Sequence, residues 1–131
     1  MQIVIIGVIS NPHGPDSALI NWDMSIESPN KGLEEGNAPY PTAEGLSLPI
    51  DAGRSIICKP DERIPLRTLN PIPKGGAVSG WLTKFYERTT YEDFRSGGVI
   101  RVWCDDVVAN KRHEFKIPYV DATGPKLTDI I

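Results

Sequence analysis

The octapeptide Ile20-Asn21-Trp22-Asp23-Met24-Ser25-Ile26-Glu27 decides the class of fold. Apolar Ile20, Trp22, Met24 and Ile26 alternate with polar Asn21, Asp23, Ser25 and Glu27. A strand sorts that period of two onto two faces, and a helix of 3.6 residues per turn does not. The segment is therefore predicted as a half-buried strand with its four apolar residues on the core side. Toward the C-terminus the same logic recurs. Ile100, Val102 and Cys104 share one face of a second strand, leaving Val99, Arg101 and Trp103 on the other. Phe115, Ile117 and Tyr119 alternate with Glu114 and Lys116, and Pro118, which lacks a donor, assigns that strand to a sheet edge. Toward the N-terminus, Ile3 to Ile9 is apolar on both parities and rich in β-branched residues. It is predicted as a strand covered on both sides or lying at a subunit contact. Ala77 to Tyr86 is apolar on both parities too, with Gly80 as the marker of a bulge.

Turn chemistry separates these runs. Asn11-Pro12-His13-Gly14-Pro15 ends the first strand, because two prolines cannot donate to a ladder and glycine permits positive φ. Ser28 to Leu48 holds three prolines and three glycines, and Lys59 to Gly76 holds four more prolines, so both are irregular connections. Short extended pieces are expected within and beside the second, at Ile56 to Cys58 and Ile64 to Leu69. Thr89 with Glu92, or Thr90 with Asp93, fits a capping box, and Gly97-Gly98 supplies the stop. One short helix is expected there and no other.

Twelve glycines and twelve prolines among 131 residues favour many turns over long helices. About seven short strands with turn signals between them then predict an all-β fold, an antiparallel β-sandwich in a single domain over residues 1–131. A net charge of −3 and no basic cluster larger than Lys111-Arg112-His113 argue against a nucleic-acid partner. The longest apolar run is seven residues, too short to span a membrane, and it has neither the leader nor the cleavage site of a signal peptide. Cys58 and Cys104 both fall on inferred core faces; two reduced, buried thiols are the first reading, and a single bridge between facing strands, in an oxidising compartment, is the second.

Ile9-Ser10-Asn11-Pro12-His13-Gly14 closing one strand, followed by the alternating strand through Trp22, resembles the opening of bacterial immunoglobulin-like domains. Pro71-Ile72-Pro73-Lys74-Gly75-Gly76, ahead of the strand that holds Trp81, is similar to the turn those domains place before a core strand. The antibody order of Cys, Trp and Cys is absent, since Trp103 directly precedes Cys104. The resemblance implies an immunoglobulin-like β-sandwich with adhesion, recognition or spacer roles in extracytoplasmic proteins, and it implies no fixed site.

Chemistry has few footholds. There is no Gly-x-Ser-x-Gly, and Lys74-Gly75-Gly76 reverses the order a phosphate loop needs. No cofactor is expected. Asp105, Asp106, Asn110 and Asp121 are the candidate oxygen ligands should a hard cation bind, and a polar hairpin loop is the alternative reading. Arg101 and Trp103, on the outer face, and Tyr40, in the long connection beside Glu34, Glu35 and Asn37, are the candidate binding residues. Trp103 has a competing role beneath the Thr90–Ser96 helix. These readings describe a non-enzymatic binding module for a protein or carbohydrate ligand, part of a larger extracytoplasmic protein. A small hydrolase whose site meets only in the fold, and an assembly subunit joined through Ile3 to Ile9, are the alternatives.

Overall fold

The computed structural model describes residues 1–37 and 45–120. Strands β1 (Gln2–Ser10) and β6 (Ala77–Phe85) pair antiparallel as a two-stranded ribbon. A second, antiparallel sheet has the order β3-β2-β7-β8, from Gly32–Glu34, Leu19–Ser28, Val99–Asp106 and Lys111–Pro118. The two pack face to face as a sandwich. Strands β4 (Leu46–Asp51) and β5 (Arg54–Cys58) form a separate hairpin. Ile5 of the ribbon meets Met24 and Val102 of the larger sheet at the centre of the core. Leu19, Ile72 and Cys104 fill one end, and Ile26, Tyr86 and Phe94 the other. Each such large side chain contributes about 1.5–3 kcal/mol by leaving water.

One residue of β2 corrects the parity read from sequence. Ile20 faces Asp105 and Asp23 faces Trp103, so β2 advances three residues where β7 advances two. The extra residue is a β-bulge at Asn21, whose φ of 56° lies in the left-handed region that Asn tolerates better than most residues. Beyond the bulge the alternation flips. Leu19 joins Trp22, Met24 and Ile26 on the core side, and Ile20, expected there, is displaced to the opposite face. Thr68, fully buried, secures the kink: its backbone oxygen accepts from Leu19 N at 3.0 Å and its hydroxyl oxygen from Trp22 Nε1 at 2.8 Å.

The irregular connections are more tightly held than their composition suggests. Ile64–Arg67 is a one-turn helix, α1, and not an extended piece, because Pro65 sits in the first turn where no N–H is required. Gly80 makes no bulge, since β1 and β6 pair without a register shift. Its lack of a side chain instead admits the neighbouring chain: a Cβ there would lie 2.7 Å from the Glu62 oxygen and 3.0 Å from Ile64 Cγ1. The expected helix, α2 (Tyr91–Arg95), carries the Thr90–Asp93 capping box. Thr89 turns inward to Glu34.

Two substitutions at the bulge check this account. Asn21→Gly should leave stability nearly unchanged in urea unfolding, whereas Asn21→Val should lose roughly 1–2 kcal/mol from its left-handed conformation. Equal behaviour of the two variants would show that the bulge does not set the register of Leu19.

Candidate functional site

At about 4.8 Å per strand, a two-stranded ribbon cannot cover a four-stranded sheet. The ribbon lies over β2 and β7, α1 closes the β6 side, and β8 projects past β1. The result is an open cleft of about 800 Å³ between β1 and β8. Its walls are mostly apolar, with Gly7, Val8 and Ile9 on one side and Phe115 and Ile117 on the other. Phe115 stays 43% exposed although it stands on the inner parity of β8.

The two strand edges beside the cleft differ in character. Tyr86 N donates to Met1 O at 2.7 Å, and Met1 N donates to Tyr86 O at the same distance. Antiparallel alternation then directs the backbone of Ile3, Ile5, Gly7 and Ile9 toward β6 and that of Gln2, Val4, Ile6, Val8 and Ser10 away from it. No strand pairs with that outward row among the described residues. On β8, the bond from Tyr119 N to Gly98 O at 2.8 Å fixes the opposite phase, so Arg112, Glu114, Lys116 and Pro118 form its free edge. Three charges and a proline guard β8, as edges usually are. β1 carries no charge at all.

Polar groups gather at one mouth of the cleft. Asp106, on the inner parity of β7, accepts from Val108 N at 3.1 Å, from Ala109 N at 3.0 Å and from the Ser17 hydroxyl. Its second oxygen meets His113 Nε2 at 3.1 Å. The Ala109 N–H first, and then the Ser17 hydroxyl, hold the Asp106 carboxyl down at about 2. Ser, His and Asp therefore meet, but in an order unsuited to acyl transfer. The serine donates to the aspartate, and no bond joins it to the histidine that would have to act as its base. The set ties the β7–β8 turn to the residues before β2. Beside it, burial pushes the Cys104 thiol up to about 11, with Asp105 and Asp106 adding repulsion. Cys58 is raised as well, by burial and by Glu62. Both cysteines are buried free thiols: Cys104 packs with Leu19 and Ile72, while Cys58 ends the β4–β5 hairpin.

The residues singled out from sequence lie elsewhere. Arg101 and Trp103 do face outward, but Arg101 is engaged by Glu27 at 3.2 Å and Glu114 at 3.9 Å. Trp103 is half-buried, in register between Asp23 and Glu114. Helix α2 does not cover it, because Phe94 packs inward on Ile26 and Tyr86. Tyr40 and Asp121 lie outside the described residues. Asp105 and Asp106, as neighbours on a strand, project to opposite faces: Asp105 meets Arg112 and Asn21, each at 3.0 Å, and Asp106 meets the turn. Asn110 stands in that turn with a φ of 50°. No group of three or more metal-ligating side chains forms among the described residues. Glu34, expected as a loop contact, is buried; its carboxylate accepts from the N–H groups of Glu87, Arg88 and Thr89 and from the Thr89 hydroxyl. Burial opposes its ionisation, but the Thr89 hydroxyl and the three N–H groups outweigh that and keep its pKa below the ordinary value. The cleft was not anticipated. The available signals were the uncharged first strand and the edge proline on the last.

Comparison of the chain with protein-family models, with curated proteins and with solved structures finds no match.

Two solution measurements follow. Asp106 and Glu34 have lowered folded pKa values, so their contribution to stability is complete above the unfolded carboxylate values near 4. It should disappear as the pH falls through the folded values, toward about 2 for Asp106. Denaturation midpoints should therefore drop between about pH 4 and pH 2, and a smaller drop in Asp106→Asn would assign the effect. Ellman's reagent at pH 8 should label neither thiol in the native protein and both after unfolding; fast native labelling contradicts their burial.

Proposed function

We propose that the protein is a non-enzymatic binding module of immunoglobulin-like architecture whose ligand occupies the cleft between β1 and β8. The observation that carries this reading is the cleft itself, about 800 Å³ of mostly apolar space at a sandwich side that the described residues leave open. Protein surfaces seldom keep so much contiguous apolar area without a use for it. Support for the architecture comes from the strand order, a β8-β7-β2-β3 sheet facing a β1-β6 ribbon, together with the turn motifs around Asn11 and Pro71–Gly76. Extracytoplasmic location belongs to the same proposal and rests on that resemblance alone. No helix among the described residues is long and apolar enough to cross a membrane.

A polypeptide ligand suits the cleft better than a carbohydrate, because most of its wall surface is apolar. Nucleic acid is disfavoured, since the chain is acidic overall and, among the described residues, Lys111, His113 and Lys116 are the basic residues that line the cleft. The outer-face site at Arg101 and Trp103 is not part of this proposal, because the Arg101 charge is already matched by two carboxylates.

The test uses the dye 1-anilinonaphthalene-8-sulfonate on the native protein. We expect saturable binding that Phe115→Ser weakens about tenfold, the scale of one partly buried aromatic contact, and that Trp103→Ala leaves unchanged. Binding lost in Trp103→Ala but kept in Phe115→Ser would move the site to the outer face and overturn the reading.

A further inference from the structure

We propose that the cleft takes an extended polypeptide segment of a partner protein, which pairs with the free edge of β1 and lays alternate apolar side chains on Phe115 and Ile117. This inference rests on the cleft's being a binding site and adds what binds there. Three features of the molecule lead to it.

The first is the backbone row. Gln2, Val4, Ile6, Val8 and Ser10 turn their N–H and C=O groups outward along a nine-residue strand, with no strand beside them among the described residues. A small organic ligand would leave most of these groups to water. An added strand satisfies them in series and spans the edge's roughly 30 Å with nine residues of its own at about 3.3 Å each.

The second is charge. Along the cleft from Ile3 to Ile9 the β1 wall carries no ionisable group; on β8, Glu114 and Lys116 border the cleft from the opposite parity of their strand, where Glu114 is turned to Arg101. At the mouth beside Ser10, Lys111 and His113 share the inner face of β8, and no carboxylate pairs with Lys111 among the described residues. The complementary segment is therefore apolar at every second position and acidic at the end that reaches Lys111. An antiparallel strand, the pairing of every named strand among the described residues, brings its N-terminal end there.

The third is the overhang of β8, which selects a lone strand over a second copy of this chain. Two β1 strands paired about a two-fold axis would continue one sheet, and each copy's β8 would then fall beneath the other's β1. That place is already filled by β7, whose Val102 packs on Ile5. A single strand has no such second layer.

The experiment adds a synthetic peptide, acetyl-Glu-Thr-Val-Thr-Leu-Thr-Val-Thr-Val-amide, to the isotope-labelled protein and follows amide hydrogen exchange by NMR. We expect exchange at Val4, Ile6 and Val8 to slow at least tenfold, while amides already bonded to β6, such as Ile5 and Gly7, change little. A peptide N-methylated on its edge-facing amides should give no protection. Nor should the Val8→Pro protein, which loses an outward donor not used in pairing with β6; an unaltered spectrum away from β1 checks that this variant is folded. Four results overturn the proposal. If the dye binds but the peptide protects no β1 amide, the cleft binds ligands of another kind and the wider reading survives. If neither binds, both fail. Protection present without peptide and dependent on protein concentration assigns the edge to a second copy, and protection independent of concentration assigns it to this chain's own residues.

Discussion

A sheet with one apolar face must be covered, and among the described residues the covering layer has two strands against the four it covers. Most of the architecture follows from that mismatch. β1 and β6 seal the centre, where Ile5 meets Met24 and Val102. The residues before β6 fold into α1 to close one side, and Gly80 lacks a side chain so that Glu62 and Ile64 can come close enough to do so. Phe94 of α2 closes the end around Ile26 and Tyr86. Nothing described closes the β8 side, so the cleft is the remainder of a packing problem solved on three sides.

Polar side chains also hold this frame. Buried polar groups are costly unless satisfied, and each one that is satisfied fixes a chain segment in place. Asn11 bonds to the carbonyls of Pro15 and Ile72 and accepts from Gly14 N, joining the first turn to the segment that precedes β6. Thr68 couples α1 to the β2 bulge. Glu34 gathers three consecutive N–H groups after β6 and so pins β3, at the far edge of the large sheet, to the start of α2. The same acceptors that make Glu34 structural remove it from any role as a surface contact. The Asp106 cluster works in like manner, which is why its serine and histidine form a brace and not a nucleophile with its base.

The two edges that flank the cleft divide protection from availability. Charged side chains on β8 discourage another strand from docking there, whereas β1 exposes an uncharged row of backbone donors and acceptors. An edge of that kind is either a liability for aggregation or a place for strand addition. The overhanging β8 limits access to β1 from one direction and furnishes apolar contacts for whatever enters.

How much was legible in the sequence depends on the range of the interaction involved. The strands were readable from local alternation, because a period of two has one structural meaning wherever one face is dry, and the Thr90–Asp93 cap was readable because its partners lie within one turn. Burial of Cys58 and Cys104 followed from the same parity. Ile20 was misassigned because a bulge is a property of two strands: a left-handed Asn21 on β2 is visible only against β7. Glu34 passed for a loop residue because its partners lie more than fifty positions away. The cleft was the least legible feature. Phe115 and Ile117 have the pattern of core residues, and Val4, Ile6 and Val8 that of a covered strand; which of them lacks a neighbour depends on the number of strands in each layer. Sequence by itself determined the strands, their polarity and the absence of familiar catalytic motifs. The tertiary structure decided which faces stayed uncovered, because coverage is set by how layers of unequal width meet and no single segment encodes that.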